Sequence, residues 1–219
     1  AHFVKVYQVV AMGIFITGLS AWMTSQIPSM VNFLVEARSN TFMSLLIAFS
    51  PMLIVAFAFN PASIRKFSST ALTGFFLAFS AYFGWLFSLI FLAYTDASIA
   101  RVFFVTSATF LAMSIWGQTT RKDLTSMGSF LAMGVIGLII AIVVNFFLQS
   151  TMLHFIVSGM GVLIYTLMIA YDTQMIKSTY SQSAGREANS KMAIMGALSL
   201  YINFIMLFQF LLQFMGQRE

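Results

Sequence analysis

The sequence predicts an all-α membrane protein of seven transmembrane helices, and three observations carry that reading. The first is balance: 60% of the 219 residues are hydrophobic and only 8% are charged, with a mean hydropathy of +0.92. A soluble domain carries about a quarter of its residues charged to cover its surface, so the long uncharged stretches here must face a solvent as apolar as themselves. The second is length: a hydrocarbon core of roughly 30 Å needs about 20 helical residues, and seven apolar runs approach it, at 6–22, 42–59, 68–94, 99–116, 127–148, 152–171 and 192–215. The third is the placement of the eleven Lys and Arg residues, which fall between these runs or, for Arg101, at the start of one, and unevenly on the two sides.

The first run is too long for a typical signal-peptide core and lacks a small-x-small cleavage site after it, so it reads as a retained helix; a start at Ala1 is compatible with loss of an initiator Met. The second contains Pro51, which is expected to kink its helix while neighbours satisfy the freed carbonyl. Asn60-Pro61 then ends that helix, because a residue before Pro is pushed out of the helical region. The third and fourth contain no Pro. Only Gln149, Ser150 and Thr151 separate the fifth from the sixth, which implies a tight helical hairpin. The stretch 178–190 reads as a hydrophilic loop between the sixth and the seventh, and residues 1–219 as one domain. Gly128 with Ala132, Gly134 with Gly137, Gly159 with Gly161 and Ala193 with Ala197 are expected to form packing seams, because small residues let helices approach closely in lipid.

With the N-terminus inside, the inner segments hold Lys5, Arg65, Lys66, Arg121, Lys122, Lys177, Arg186 and Lys191, and the outer ones only Arg38, Arg101 and Arg218. Cytoplasmic loops accumulate basic residues, so seven spans put the N-terminus in the cytoplasm and the C-terminus outside. The partner implied is the lipid bilayer. The formal charge of +5 does not imply nucleic acid, since the basic residues form no stripe with interleaved aromatics.

Enzyme chemistry finds no support. There is no Cys, and the two His residues, His2 and His154, stand apart, so no nucleophile, base and acid can be assembled. No cofactor motif occurs: there is no Gly-rich phosphate cradle, and the last span lacks a Lys for a retinal Schiff base. Trp22, Trp85 and Trp116 suit interfacial or packing positions.

Of six acids, Glu36, Asp96, Asp123, Glu187 and Glu219 read as loop or terminal residues. Asp172 does not. It lies five residues before Lys177, about 7 Å deeper at 1.5 Å per residue. An ionisable group at that depth either faces the interior and marks an ion or proton path, or is hydrated at the interface. Asn203, in the last span beside Tyr201, has no reason to face lipid and is expected to hydrogen-bond another helix. Gln209 and Gln213 carry the same expectation.

Three segments point to a family. Residues 103–124 read FFVTSATFLAMSIWGQTTRKDL, residues 169–176 read IAYDTQMI, and residues 200–214 read LYINFIMLFQFLLQF. Together they resemble the Bax inhibitor-1 family, the transmembrane Bax inhibitor motif proteins, in their bacterial form. The resemblance implies seven helices, six of them surrounding a central C-terminal helix. It implies a pH-sensitive calcium or cation leak pathway, or alternatively a non-transporting interaction protein: a modulator of a membrane-bound ATP-dependent protease, or a subunit of a larger membrane complex. It implies residence in a bacterial inner membrane, with a mitochondrial inner membrane imposing similar physics.

The family's pH-sensing element is a pair of Asp residues. Asp172 matches the first, with Tyr171 and Lys177 beside it. Asn203 stands where the second is found, in a pattern like LYLDFINLF, and Met206 replaces the polar residue that follows. Two close carboxylates share a proton and titrate as a coupled pair, whereas an Asp facing an amide keeps the geometry without the coupling. Calcium wants several oxygen ligands, so Asp172 is a calcium candidate of lower affinity than a two-Asp site.

Overall fold

The computed structural model describes residues 2–179 and 185–218, and it is helical almost throughout. In chain order the helices are α1 (His2–Ser25), α2 (Pro28–Ser39), α3 (Thr41–Ala58), α4 (Pro61–Lys66), α5 (Ser69–Phe87), α6 (Ile90–Ala93), α7 (Asp96–Thr119), α8 (Gly128–Leu148), α9 (Thr151–Thr179) and α10 (Arg186–Met215), with a 3-10 turn at Thr125–Met127 before α8. Among the described residues seven helical stretches are long and apolar enough to cross a membrane, α5 and α6 counting as one. These are the seven expected spans, with several ends moved. The span expected at 152–171 continues to Thr179, because the polar segment from Asp172 to Gln174 lowers hydropathy without stopping the helix. The last begins at Arg186, so the connection read at 178–190 is shorter; residues 180–184 lie outside the described residues, as does Glu219.

Two helices were not expected. In α2, Asn32, Glu36 and Arg38 interrupt any long apolar run, yet Pro28 at the first turn and the buried Val31 and Leu34 make it an amphipathic helix. Glu36 is therefore helical rather than in a loop, and Asp96 and Glu187 sit in first turns, where a carboxylate complements the helix dipole. In α4, Asn60 accepts from the Ser63 amide at 2.9 Å, so the residue that closes α3 also caps its successor. The last helix carries Lys191 after all, whose ammonium donates to the Ile64 carbonyl at 3.1 Å.

By backbone contacts the described residues separate into two compact units: residues 2–93 and 185–198, and residues 94–179 and 199–218. In the first unit α1 packs on α5 through small and hydroxyl-bearing residues, as lipid-embedded helices require. A Cβ on Gly13 would lie 2.5 Å from the Phe76 ring, and one on Gly84 would collide with the Thr17 carbonyl. The Thr17 hydroxyl donates to the carbonyls of Gly13 at 2.9 Å and Ser80 at 3.0 Å. Within α3, the Ser50 hydroxyl donates at 2.7 Å to the Ile47 carbonyl, the acceptor that Pro51 leaves without an amide donor. The freed carbonyl is thus satisfied from within the helix. Glu187 closes the N-terminus of α5, accepting from the Ser69 amide at 2.6 Å and its hydroxyl at 2.8 Å.

In the second unit α7 meets α9 where Gly117 faces Ala170, and α8 meets α9 where Gly128 faces the Tyr171 ring and Gly134 faces Ile164. The expected hairpin between α8 and α9 turns on Gln149, at φ 50°, with Asn145 accepting from the Ser150 amide at 3.0 Å. Gly161 lies under the Phe210 ring, whereas Gly137 has open space and Ala132 is exposed. Those two expected packing positions face outward. In the first unit, Ala193 and Ala197 are fully buried. The last helix is the most buried of the spans, with 67% of its most apolar stretch enclosed against 28% or less elsewhere.

Candidate functional site

All parts of the candidate site belong to the second unit. Asp172 sits two turns before the end of α9, and Ser199 and Asn203 are one turn apart on α10, a spacing that puts both on one face. The Asn203 amide nitrogen donates to Asp172 Oδ2 at 2.7 Å, and the Ser199 hydroxyl donates to the same oxygen. Asp172 is 9% exposed and Asn203 3%. The open choice between an inward and a hydrated Asp172 is settled in favour of burial. Two neutral donors converging on one oxygen suit an ionised carboxylate, which only accepts; a protonated acid would keep Oδ2 as its carbonyl and carry the proton on Oδ1.

The other residues of the YDTQ segment point elsewhere, as successive helical positions must. Tyr171 packs over Gly128, where a Cβ would stand 2.6 Å from its hydroxyl. Thr173 is fully buried, its hydroxyl lacking a partner among the described residues. Gln174 clamps the connection between α7 and α8: its amide nitrogen donates to the Lys122 carbonyl at 2.9 Å, and its oxygen accepts from the Leu124 amide at 2.8 Å. Lys177 does not reach the carboxylate; its ammonium donates to the Gln118 carbonyl at 2.9 Å, in the last turn of α7. Tyr201 is fully buried in the core. Ser199 and Gln174 are the residues that sequence reasoning missed. The first stands one turn from Asn203, a legible signal; the second grips backbone atoms, which no side-chain pattern announces.

Elsewhere in this unit Gln213 accepts from the Ser158 hydroxyl at 3.4 Å, a contact between α10 and α9 of the kind expected for it. In the connection gripped by Gln174, Asp123 accepts from the Thr125 hydroxyl at 2.5 Å and the Thr125 amide at 2.9 Å. These bonds, the hydroxyl foremost, hold its carboxyl below the usual carboxylate range. Among the described residues no three His, Cys, Asp or Glu side chains gather as a metal site.

Among the described residues, seven apolar spans with one buried carboxylate define a multi-pass α-helical membrane protein. A family model described as "Inhibitor of apoptosis-promoting Bax1" matches residues 1–219, and the chain belongs to that Bax inhibitor family. A Caulobacter vibrioides protein is 43% identical over 225 residues, covering 96% of this chain and 86% of the relative. A Rickettsia prowazekii protein is 38% identical over 226 residues, 100% and 90% respectively. The inner membrane protein YbhL of Escherichia coli K12 is 37% identical over 220 residues, 100% and 92%.

Proposed function

We propose that this protein provides a modest, proton-sensitive leak pathway for calcium or another cation, closed when Ser199 and Asn203 hold Asp172. The observation that carries the reading is the pair of hydrogen bonds from α10 to a single buried carboxylate of α9. Such a group is costly in lipid and commonly marks an ion or proton path. The oxygens at hand are those of the carboxylate, the Ser199 hydroxyl and the Asn203 amide. Calcium takes six to eight oxygen ligands, so water would have to complete the shell and one formal charge would hold the ion weakly. Weak holding favours passage, since conduction needs a site the ion can leave. Protonation of Asp172 removes the charge and, with it, the attraction.

The location of YbhL supports a bacterial inner membrane, and the count of eight basic residues against three supports a cytoplasmic N-terminus. The test is calcium entry into dye-loaded liposomes from pH 6 to 8, for the natural protein, Asn203→Asp and Asp172→Ala. Flux that Asp172→Ala abolishes and Asn203→Asp makes more steeply pH-dependent is expected; absence of flux from all three eliminates a transport role.

A second reading is favoured by Asn203 itself. With one member of the acid pair replaced by an amide, the protein serves instead as a non-transporting partner of a membrane-bound protease or of another membrane complex. Gentle-detergent purification followed by mass spectrometry separates the readings: a stoichiometric partner supports this one, and a lone monodisperse protein counts against it.

A further inference from the structure

A second candidate site lies in the first unit. Val35 and Arg38 of α2, with Leu89, Leu92 and Ala93 at the break between α5 and α6, line an open groove of about 260 Å³. Its walls are aliphatic except for one guanidinium. Arg38 is exposed and makes no ion pair with any described residue. Glu36, two positions away, is about 200° around the helix and cannot serve it. The groove owes its shape to the pause in the helix at Ser88, whose hydroxyl turns back to the Trp85 carbonyl at 2.7 Å.

Aromatic residues fix the level of this groove in the bilayer. Trp85 stacks with Phe33 of α2 at 6.2 Å between ring centres and lies 5.8 Å from Tyr82. Trp22, in the last turn of α1 just before α2, is 55% exposed. Trp and Tyr collect at the boundary between hydrocarbon and headgroups, and α2 has the amphipathic form of a helix lying along that boundary, with Phe33 and Val35 exposed. An uncompensated guanidinium beside an apolar channel at headgroup depth complements a phosphate joined to an alkyl chain. Arg is suited to this because its planar fork binds phosphate oxygens in pairs. The volume falls just below the roughly 300 Å³ at which small-molecule sites begin, so the groove can take part of a chain rather than enclose a whole ligand.

We propose that this groove is a site for one anionic phospholipid, its phosphate on Arg38 and the first part of an acyl chain along Leu89, Leu92, Ala93 and Val35. The experiment is native mass spectrometry of the full chain released from nanodiscs containing equal phosphatidylglycerol and phosphatidylcholine. Soluble glycerol phosphate serves as competitor, and circular dichroism confirms that each variant is folded. The natural protein is expected to retain phosphatidylglycerol over phosphatidylcholine by about fivefold, the factor one basic side chain is worth at a membrane surface. Arg38→Gln should remove the preference, Arg38→Lys should keep most of it, and Leu92→Trp should lower retention of both lipids by filling the groove. An undiminished preference in Arg38→Gln would overturn the proposal. So would unchanged retention in Leu92→Trp, or displacement of the lipid by glycerol phosphate, which would mark a plain phosphate site.

Discussion

Asn203→Leu removes one of the two donors to Asp172 and puts an apolar side chain of similar bulk in its place. Interhelical hydrogen bonds in membranes are worth about 0.6 kcal/mol on average and up to roughly 2 kcal/mol, and bonds to charged groups lie at the upper end. Because the Ser199 hydroxyl still reaches the same oxygen, the single substitution is expected to cost about 1 kcal/mol. Ser199→Ala is expected to cost a similar amount for the same reason. Removing both leaves a buried carboxyl with no donor, so the double variant should lose about 3 kcal/mol or more, beyond the sum of the singles. Adding Asp172→Leu to the double variant takes the unpaired acid away and should restore most of the loss. Equilibrium unfolding in mixed micelles, at fixed pH and detergent composition, measures all of these. Additive single effects, together with no recovery from Asp172→Leu, would refute the idea that both residues act through one carboxylate.

Three other outcomes follow from the geometry. Gly117→Ala puts a methyl against the Ala170 carbonyl and 3.0 Å from its Cα; backbone cannot swing aside, so about 1–3 kcal/mol should be lost, whereas Gly137→Ala, with open space around it, should be neutral in the same unfolding assay. Gln174→Ala releases the carbonyl of Lys122 and the amide of Leu124, and a Cys placed at Ser126 as a reporter should then react with a water-soluble maleimide several-fold faster; an unchanged rate would mean the clamp does not hold the connection. Asp123, held below the usual carboxylate range by Thr125, contributes stability that is complete above the unfolded value of about 3.9 and is lost only as pH falls through its lower folded value. Asp123→Asn should therefore leave any response between pH 6 and 8 unaltered, and a response that disappears in this variant would assign the titration to the wrong carboxylate.

The spans were legible because hydropathy is a property of long runs, and lipid demands it of every exposed helix face. Their ends were less so. Asp172, Thr173 and Gln174 look like the close of a helix to a hydropathy window, yet backbone bonding continues for two turns past Asp172. Helix α2 was invisible for the opposite reason: its one apolar face is too narrow to register as a span, and its burial depends on neighbours. Paired small residues predicted packing at Gly128 and Gly161 and failed at Ala132 and Gly137, since spacing within a helix says nothing of which face meets a partner. The closest approaches instead include Gly13, Gly84 and Gly117, each fixed by a backbone or ring on another helix. For the candidate site, Asp172 and Asn203 stood out in the sequence as polar groups within apolar spans, and a hydrogen bond joins them. Ser199 was passed over because a Ser in a membrane helix usually bonds its own backbone.

The central claim is that a carboxylate on the sixth span is held by the last one. Solid-state NMR of the protein in lipid bilayers, with ¹³C at Asp172 Cγ and ¹⁵N at Asn203 Nδ2, tests it without any substitution. With Nδ2 2.7 Å from Oδ2, the oxygen bonded to the labelled Cγ, weak but measurable dipolar recoupling is expected between the two labels. Absence of recoupling, with both signals resolved and rigid, would contradict it.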